Sequence, residues 1–136
     1  MKNLNNKGYL LIEIILASAL AIGMAYFMIR LTITVKNKND DLLVKSLTST
    51  DQGIIYNYFM KKVYDPSGNG QIDQTKISTS GQSISYEGKV ITRLNKYAKF
   101  GTITTAHDGD YIIIPITVTN LEDENFDVVI YQQNRN

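Results

Sequence analysis

The sequence comprises 136 residues, and its fourteen Lys and Arg against thirteen Asp and Glu give a net charge of +1. Such a length suits one small folded domain with an appendage. The balanced charge provides no field that would attract nucleic acid, and the absence of cysteine excludes disulfides, thiolate metal sites and a cysteine nucleophile.

An apolar stretch near the N-terminus is the first predicted element. Residues 9–29 contain a single charged residue, Glu13, and no proline. As a helix rising about 1.5 Å per residue, this stretch is long enough to cross a hydrocarbon core of roughly 30 Å. Its Ala, Leu, Ile and Met residues also favour a helix. We therefore expect a membrane-spanning helix over residues 9–35.

Two ordinary interpretations of this stretch stay open. A secretory signal peptide would use Lys2 and Lys7 as its basic start and would be cut after small residues at 17–19 or 19–21, but the apolar run continues past both positions. A plain membrane anchor would tolerate Glu13 one helical turn inside the apolar stretch. An acid in a membrane segment nevertheless usually has a function and a partner. Because no Lys or Arg lies one turn away on the membrane side, that partner would come from another chain.

The residues that lead up to this acid form a specific pattern. Residues 7–13 read KGYLLIE, so a short basic leader ends in Gly8 and is followed by the aromatic Tyr9, three apolar residues and Glu13. The long apolar helix then follows. This combination resembles the processing motif of type IV prepilins and pseudopilins, and the resemblance covers about the first quarter of the chain.

The resemblance implies how the N-terminus is processed and used. A prepilin peptidase would cut between Gly8 and Tyr9, remove the leader of residues 1–8 and leave a Tyr9 amino group that is N-methylated. In an assembled filament, Glu13 of one subunit would meet the Tyr9 amine of a neighbouring subunit. An unpaired acid in a dry helical bundle is costly, so this pair would fix the register of assembly. Loss of Lys2 and Lys7 would leave twelve basic against thirteen acidic residues.

The same resemblance implies location and partners. The chain would be a single-pass cell-membrane protein with residues 36–136 as an extracytoplasmic, pilin-like domain. Its partners would be the prepilin peptidase, other pilin or pseudopilin subunits, an inner-membrane assembly platform and membrane lipid. The machine could be a type IV pilus, a competence pilus that serves DNA uptake, or a protein-secretion pseudopilus. Basic residues after the span, Arg30 to Lys45, would by themselves favour the opposite topology.

Two departures from the family pattern bear on the kind of subunit. Tyr9 replaces the usual phenylalanine, and Arg30 stands near the position where major pilins often have a proline that loosens the helix. Without that proline the helix should run on unbroken, which is more typical of minor pilins and pseudopilins than of the main filament subunit.

Beyond the membrane stretch, an amphipathic helix is predicted at about residues 41–64, after a polar stretch at 36–41 that could loosen the junction. Its apolar residues recur at spacings of three, four and seven and are Leu42, Leu43, Leu47, Ile54, Ile55, Tyr58, Phe59 and Val63. The helix should stop at residues 65–70, DPSGNG, because proline restricts the residue before it and glycine favours turns.

The loop that follows has two interpretations. Oxygen donors recur at alternate positions from Asp65 to Asp73, with Gly70 at the bend, as in a calcium-binding loop. Lys76, however, stands where a bidentate carboxylate is needed, so the ligand set is incomplete. A polar turn is the better interpretation, and no metal or other cofactor is expected.

The C-terminal half has the pattern of antiparallel strands. Strands are predicted at residues 82–87, 89–94, 98–105, 110–119 and 126–132, with turn signals at Glu87-Gly88, 107–109 and 120–125. Pro115 suggests an edge strand, a bulge or an interruption. The predicted fold class is α+β: a long N-terminal helix, half membrane-spanning and half amphipathic, packed on a C-terminal antiparallel sheet that forms a β-meander over about residues 82–132.

No pattern in the chain indicates catalysis. The single histidine, His107, lies in a predicted turn, and there is no phosphate-binding loop, dinucleotide fingerprint or metal-ligand spacing. Tyrosines next to lysines, as at residues 97–100, are more typical of strands than of base stacking. We therefore expect no enzyme, no small-molecule substrate and no direct nucleic-acid binding. The sequence predicts a structural minor pilin or pseudopilin; the alternative is a single-pass membrane-anchored extracytoplasmic binding domain that keeps residues 1–8.

Overall fold

The structure is a computed structural model that describes residues 4–64, 71–107, 109–119, 121 and 123–132, with side chains described from residue 8 onward. The chain divides into two units, Met1–Asp40 and Asp41–Asn136. The architecture is α+β, with one long N-terminal helix and antiparallel sheets in the C-terminal part, as the sequence predicts.

The helix, α1, extends over Leu4–Val63. No proline lies within it, and residues 36–41, where a looser junction was expected, are helical. The Thr32 and Thr34 hydroxyls donate to the carbonyl oxygens four residues earlier, at 2.8 and 2.9 Å, so they are satisfied without breaking the helix. The residues predicted to stop the helix, 65–70, lie outside the described part of the chain.

In the second unit, one face of α1 is buried. The buried residues are Val44, Thr48, Ile55, Phe59 and Val63, at helical spacings of four and seven. The predicted apolar face was therefore partly wrong: four of its eight members are exposed, namely Leu42, Leu43, Leu47 and Ile54. The helix carries two apolar stripes, and only one of them packs on the sheets.

The first sheet has three strands in the order β1 (Ile77–Ser80), β2 (Ser83–Tyr86) and β3 (Lys89–Arg93). A short 3₁₀ helix, Gln74–Lys76, precedes it. Glu87 and Gly88, the predicted turn, join β2 to β3 with φ angles of 52° and 77°. Two consecutive positive φ angles match the right-handed twist of a two-residue hairpin. β1 was not predicted, because its residues are mostly Ser and Thr.

The second sheet contains β4 (Ala98–Phe100), β5 (Thr104–Ala106), β6 (Tyr111–Val118) and β7 (Glu124–Tyr131). β6 is central: β7 pairs with one side, and β4 and β5 pair with different parts of the other side. The predicted strand at 98–105 is thus two short strands. The single meander expected from the sequence is replaced by two sheets.

Pro115 lies where the neighbour of β6 changes from β5 to β4. Gly101 N donates to Pro115 O at 2.8 Å on this side, and a Cβ at Gly101 would lie 2.9 Å from Pro115 Cγ. Because a proline has no N–H to donate, the pairing is interrupted at this point. None of the three options the sequence left open holds for β6 itself, which is central and pairs with β7 at every residue including Pro115; the break lies in its other neighbour, between β5 and β4.

The core lies between the buried face of α1 and the two sheets. Alternate residues of β6 are fully buried: Ile112, Ile114, Ile116 and Val118. The Phe59 ring meets the Tyr86 ring of β2 edge-on, with centroids 5.6 Å apart, so the helix contacts the first sheet as well as the second.

A polar cluster fastens the turn after β3 to α1. The Asn95 side-chain amide donates to Thr48 Oγ1 at 3.1 Å, and Asn95 N donates to Asp51 Oδ2 at 3.3 Å. Burial raises the pKa of Asp51, and the hydrogen bonds from Asn95 oppose that rise. These contacts satisfy the buried Thr48 hydroxyl and fix the turn against the helix.

Candidate functional site

The predicted processing site lies within α1. The helix begins at Leu4, so the bond between Gly8 and Tyr9 is inside it and not in a loop that precedes it. Glycine is about 1 kcal/mol less favourable in a helix than alanine, so Gly8 weakens this turn. A Cβ at Gly8 would meet nothing within 4 Å, so packing among the described residues does not require a glycine here.

Tyr9 and Glu13 lie on one face of the helix. They are four residues apart, which places them about 6 Å apart along the axis. Both side chains are exposed, Tyr9 at 78%. Glu13 forms no ion pair with any residue that the structure describes. The structure therefore brings the two predicted residues to a common face, and none of the described basic side chains is a partner of the acid.

The surface around Glu13 is apolar on all sides. Every described side chain from residue 8 to residue 40 is exposed, including large ones such as Ile12, Leu16 and Phe27. A helix that is apolar all round is stable when it is enclosed by a membrane or by other helices. Within the described residues, α1 is the one helix long and apolar enough to cross a membrane.

The few polar groups of this segment are satisfied locally. Ser18 Oγ donates to Ile15 O at 2.8 Å, which keeps the hydroxyl bonded to the helix. Near the C-terminal end of the apolar stretch, Arg30 Nε donates to Tyr26 Oη at 3.0 Å, and the guanidinium lies 5.6 Å from the ring centroid. The pair was not predicted from the sequence, although its spacing of four residues is that of neighbours on a helix face. Tyr and Arg are suited to the boundary between hydrocarbon and water.

The loop considered for calcium lies only partly within the described residues. Asp65 to Gly70 are outside them, whereas Asp73 caps the 3₁₀ helix by accepting from Thr75 N and Oγ1 at 3.0 and 2.6 Å. These bonds lower the pKa of Asp73. Lys76 forms an ion pair with Glu87 at 3.0 Å, which raises the pKa of Lys76. Both side chains thus stabilise the turn and the hairpin.

The remaining acidic and histidine side chains that the structure describes do not gather into a common cluster. Within the described part of the chain, no three His, Asp or Glu side chains come together to hold a metal. His107 lies exposed in its predicted turn with φ 53°, and its ring is 5.6 Å from that of Tyr111. Asp108, its neighbour in sequence, is outside the described residues.

Comparison of the chain with known protein families, curated proteins and solved structures finds no match. The functional inference therefore depends on two observations: the pattern of residues 7–13 and the exposed apolar helix that contains Glu13.

Proposed function

We propose that the chain is a structural minor pilin or pseudopilin subunit. A prepilin peptidase trims it between Gly8 and Tyr9, and the mature chain assembles through its N-terminal helix into a type IV pilus, a competence pilus or a secretion pseudopilus. The observation that carries the proposal is Glu13, the single acid in the exposed apolar stretch of residues 9–29, five residues after the glycine that ends a basic leader.

The proposed cut would supply the missing partner of Glu13. It converts the Tyr9 backbone N–H into an α-ammonium group at the new end of the helix. Opposite charges about 4 Å apart attract by about 4 kcal/mol at an effective dielectric of 20, and desolvation reduces this gain. The pair therefore contributes more to register than to affinity: a subunit that packs out of step would leave Glu13 unpaired among apolar helices.

The membrane helix and the domain that follows it have different tasks. The apolar helix holds the subunit in the membrane before assembly and in the filament afterwards, and residues 36–136 stand outside the cell membrane as the folded domain. The described polar clusters of that domain, around Asn95 and Lys76, connect elements of its own fold. A structural subunit is consistent with this arrangement.

Leader removal is the first test. The full chain is produced in cells with an active prepilin peptidase, with an inactive peptidase as the control, and its intact mass and N-terminal sequence are measured. The expected product lacks residues 1–8 and carries one methyl group on Tyr9. Gly8→Leu should block the cut, whereas Gly23→Leu, at a second helix glycine with open surroundings, should not. An intact Met1 in the working cellular form would instead support the plain membrane anchor.

Assembly is the second test. Glu13→Val should leave the chain in the membrane fraction and should sharply reduce its amount in sheared filaments. Asp40→Asn is the matched control, because it removes another exposed acid of the same helix. Normal incorporation of the Glu13→Val chain would show that the charge pair has no role in assembly.

A further inference from the structure

The outer edge of β7 is a long strand edge with free main-chain groups. Gln132 N donates to Asp110 O, and β7 pairs with β6 in unbroken register over Glu124–Tyr131. Because bonded and non-bonded pairs alternate in an antiparallel ladder, the odd-numbered residues of β7 direct their N–H and C=O groups outwards. Among the described residues, the outward groups of Val129 and Tyr131 have no partner.

The two edges of the first sheet, and the edge of the second sheet formed by the three-residue strands β4 and β5, are less open to pairing. β1 has four residues, and β3 is irregular next to Ile84 and Ser85 and carries Lys89 and Arg93 at its ends. Short length, bulges and basic residues are common ways of protecting a strand edge. β7 has eight regular residues, and its described protection is the Gln52 amide, which donates to Asp127 O at 2.8 Å.

A groove runs along this edge on the side of α1. It has a volume of about 430 Å³ and is lined by Ser49, Gln52, Gly53, Tyr56 and residues 127–129. Gly53 lies inside α1, well before its end at Val63, and glycine inside a helix costs roughly 0.5–1 kcal/mol relative to alanine. A Cβ at Gly53 would meet nothing within 4 Å, so packing among the residues that the structure describes does not require a glycine there. The missing side chain keeps the groove open.

The β7 edge carries a negative charge. Asp127 is exposed on the outer face of β7 and forms no ion pair with the described residues. Among the described ion pairs, the basic side chain that contacts β7 is Lys45, and it pairs with Glu124 at 2.8 Å. A strand laid beside β7 would therefore be favoured by a Lys or Arg opposite Asp127.

A second copy of the chain fits this edge poorly. Lys45 contacts Glu124 and Gln52 contacts Asp127, so helix residues 41–63 and β7 run in the same direction. Two copies joined symmetrically by antiparallel β7 edges would have these helices antiparallel, with their Asp41 ends pointing apart. Both edges would also bring their own Asp127 carboxylate to the contact. Two like charges at one contact are unfavourable, so the edge suits a partner other than a second copy.

We propose that the β7 edge docks an extended segment of another polypeptide, which adds a strand to the sheet and places a Lys or Arg against Asp127. Alternate side chains of the segment enter the groove above Gly53, and the others lie beside Asp127, Val129 and Tyr131. The main-chain bonds give affinity, and the groove and the acid give selectivity. The inference does not depend on leader removal.

The test is a selection of peptides on the full chain in detergent micelles. A phage library of random nonapeptides is the probe, and enriched sequences are synthesised and measured by fluorescence anisotropy. The expected peptides alternate β-branched residues with one Lys or Arg. Val129→Pro should weaken them about tenfold, because it removes an outward N–H without breaking the ladder to β6, whereas Val129→Thr should not.

Two further variants keep the proposal falsifiable if Val129→Pro fails to fold. Gly53→Leu should remove binding by filling the groove while it favours the helix, and Asp127→Lys should shift the selection to peptides that contain Asp or Glu. The proposal is overturned if no extended peptide is enriched, or if the peptides bind both variants as well as the unchanged chain. It is also overturned if Val129→Cys copies, in this cysteine-free chain, form a disulfide-linked dimer through β7.

Discussion

The two parts of α1 have the same secondary structure and opposite surroundings. From residue 8 to residue 40 every described side chain is exposed, whereas from 41 to 63 one face is buried under two sheets. Phe27 is 63% exposed and Phe59 is fully buried. An apolar side chain therefore stabilises this chain's own fold only where the chain supplies a partner surface. Residues 8–40 pack against no such surface among the described residues, and their helix is long and apolar enough to cross a membrane.

The largest expected difference between the two parts concerns these phenylalanines. Phe59→Ala should destabilise the folded domain by about 3–5 kcal/mol, since it leaves a cavity beside Tyr58 and Tyr86. Phe27→Ala should change the unfolding free energy by less than about 0.5 kcal/mol. Denaturant unfolding of the full chain in detergent, followed by tyrosine fluorescence, measures both. Equal losses would remove the distinction between the two parts of the helix.

Substitutions at three glycines test the same difference between the two parts of α1 and the domain, with smaller expected changes in stability. Gly101→Ala should cost about 1–3 kcal/mol, because its Cβ would press on the Pro115 ring. Gly53→Ala should stabilise the domain by roughly 0.5–1 kcal/mol, since its Cβ meets open space. Gly23→Ala, in the exposed part of α1, should leave the unfolding of the domain unchanged. Thermal unfolding of the three variants gives the order of their stabilities. A destabilised Gly53→Ala chain would contradict the finding that the space beside Gly53 is open.

The smallest effect is a pH dependence within the packed unit. Burial raises the pKa of Asp51, so the native state binds more protons than the unfolded state just above the ordinary aspartate pKa of about 3.9, and stability falls as the pH rises through that window. Hydrogen bonds from Thr75 lower the pKa of Asp73, so its contribution is present above the ordinary value and is lost as the pH falls below it.

Asp51→Asn and Asp73→Asn should accordingly change the dependence of stability on pH in opposite directions. Denaturation midpoints between about pH 2 and 7 measure this, because the window spans both carboxyl titrations. If both variants changed the slope of stability against pH in the same direction, the surroundings described above for one of the two carboxyls would be contradicted.

The sequence predicted the existence of α1 and its continuity better than its orientation. Apolar content and the lack of proline are local properties, so the unbroken helix could be expected. The stripe that faces the sheets could not be predicted. Leu43 and Val44 are adjacent and both apolar, yet Leu43 is exposed and Val44 is buried. The shape of the sheets, which the helix sequence does not contain, decides between them.

A similar division holds for the strands and the site. Glu87-Gly88 could be predicted as a turn because its requirement for positive φ is local. The edge position of β7 could not be predicted from its own sequence. It depends on β4 and β5, which occupy the other side of β6. The pattern of Gly8, Tyr9 and Glu13 can be read from the sequence alone because it lies within six residues. The groove at Gly53 could be recognised only in the folded structure, because its two walls come from residues about 75 apart in the chain.

Pro115 also has a consequence for solubility. The segment around it, YIIIPITV, is rich in β-branched residues and uncharged, which is the composition of segments that stack into amyloid-like fibrils. A proline at its centre would cost one hydrogen bond in every layer of such a stack. In the native sheet it costs little, because its nitrogen faces the gap between β5 and β4. The chain thus keeps a strongly hydrophobic central strand and a built-in safeguard against its aggregation.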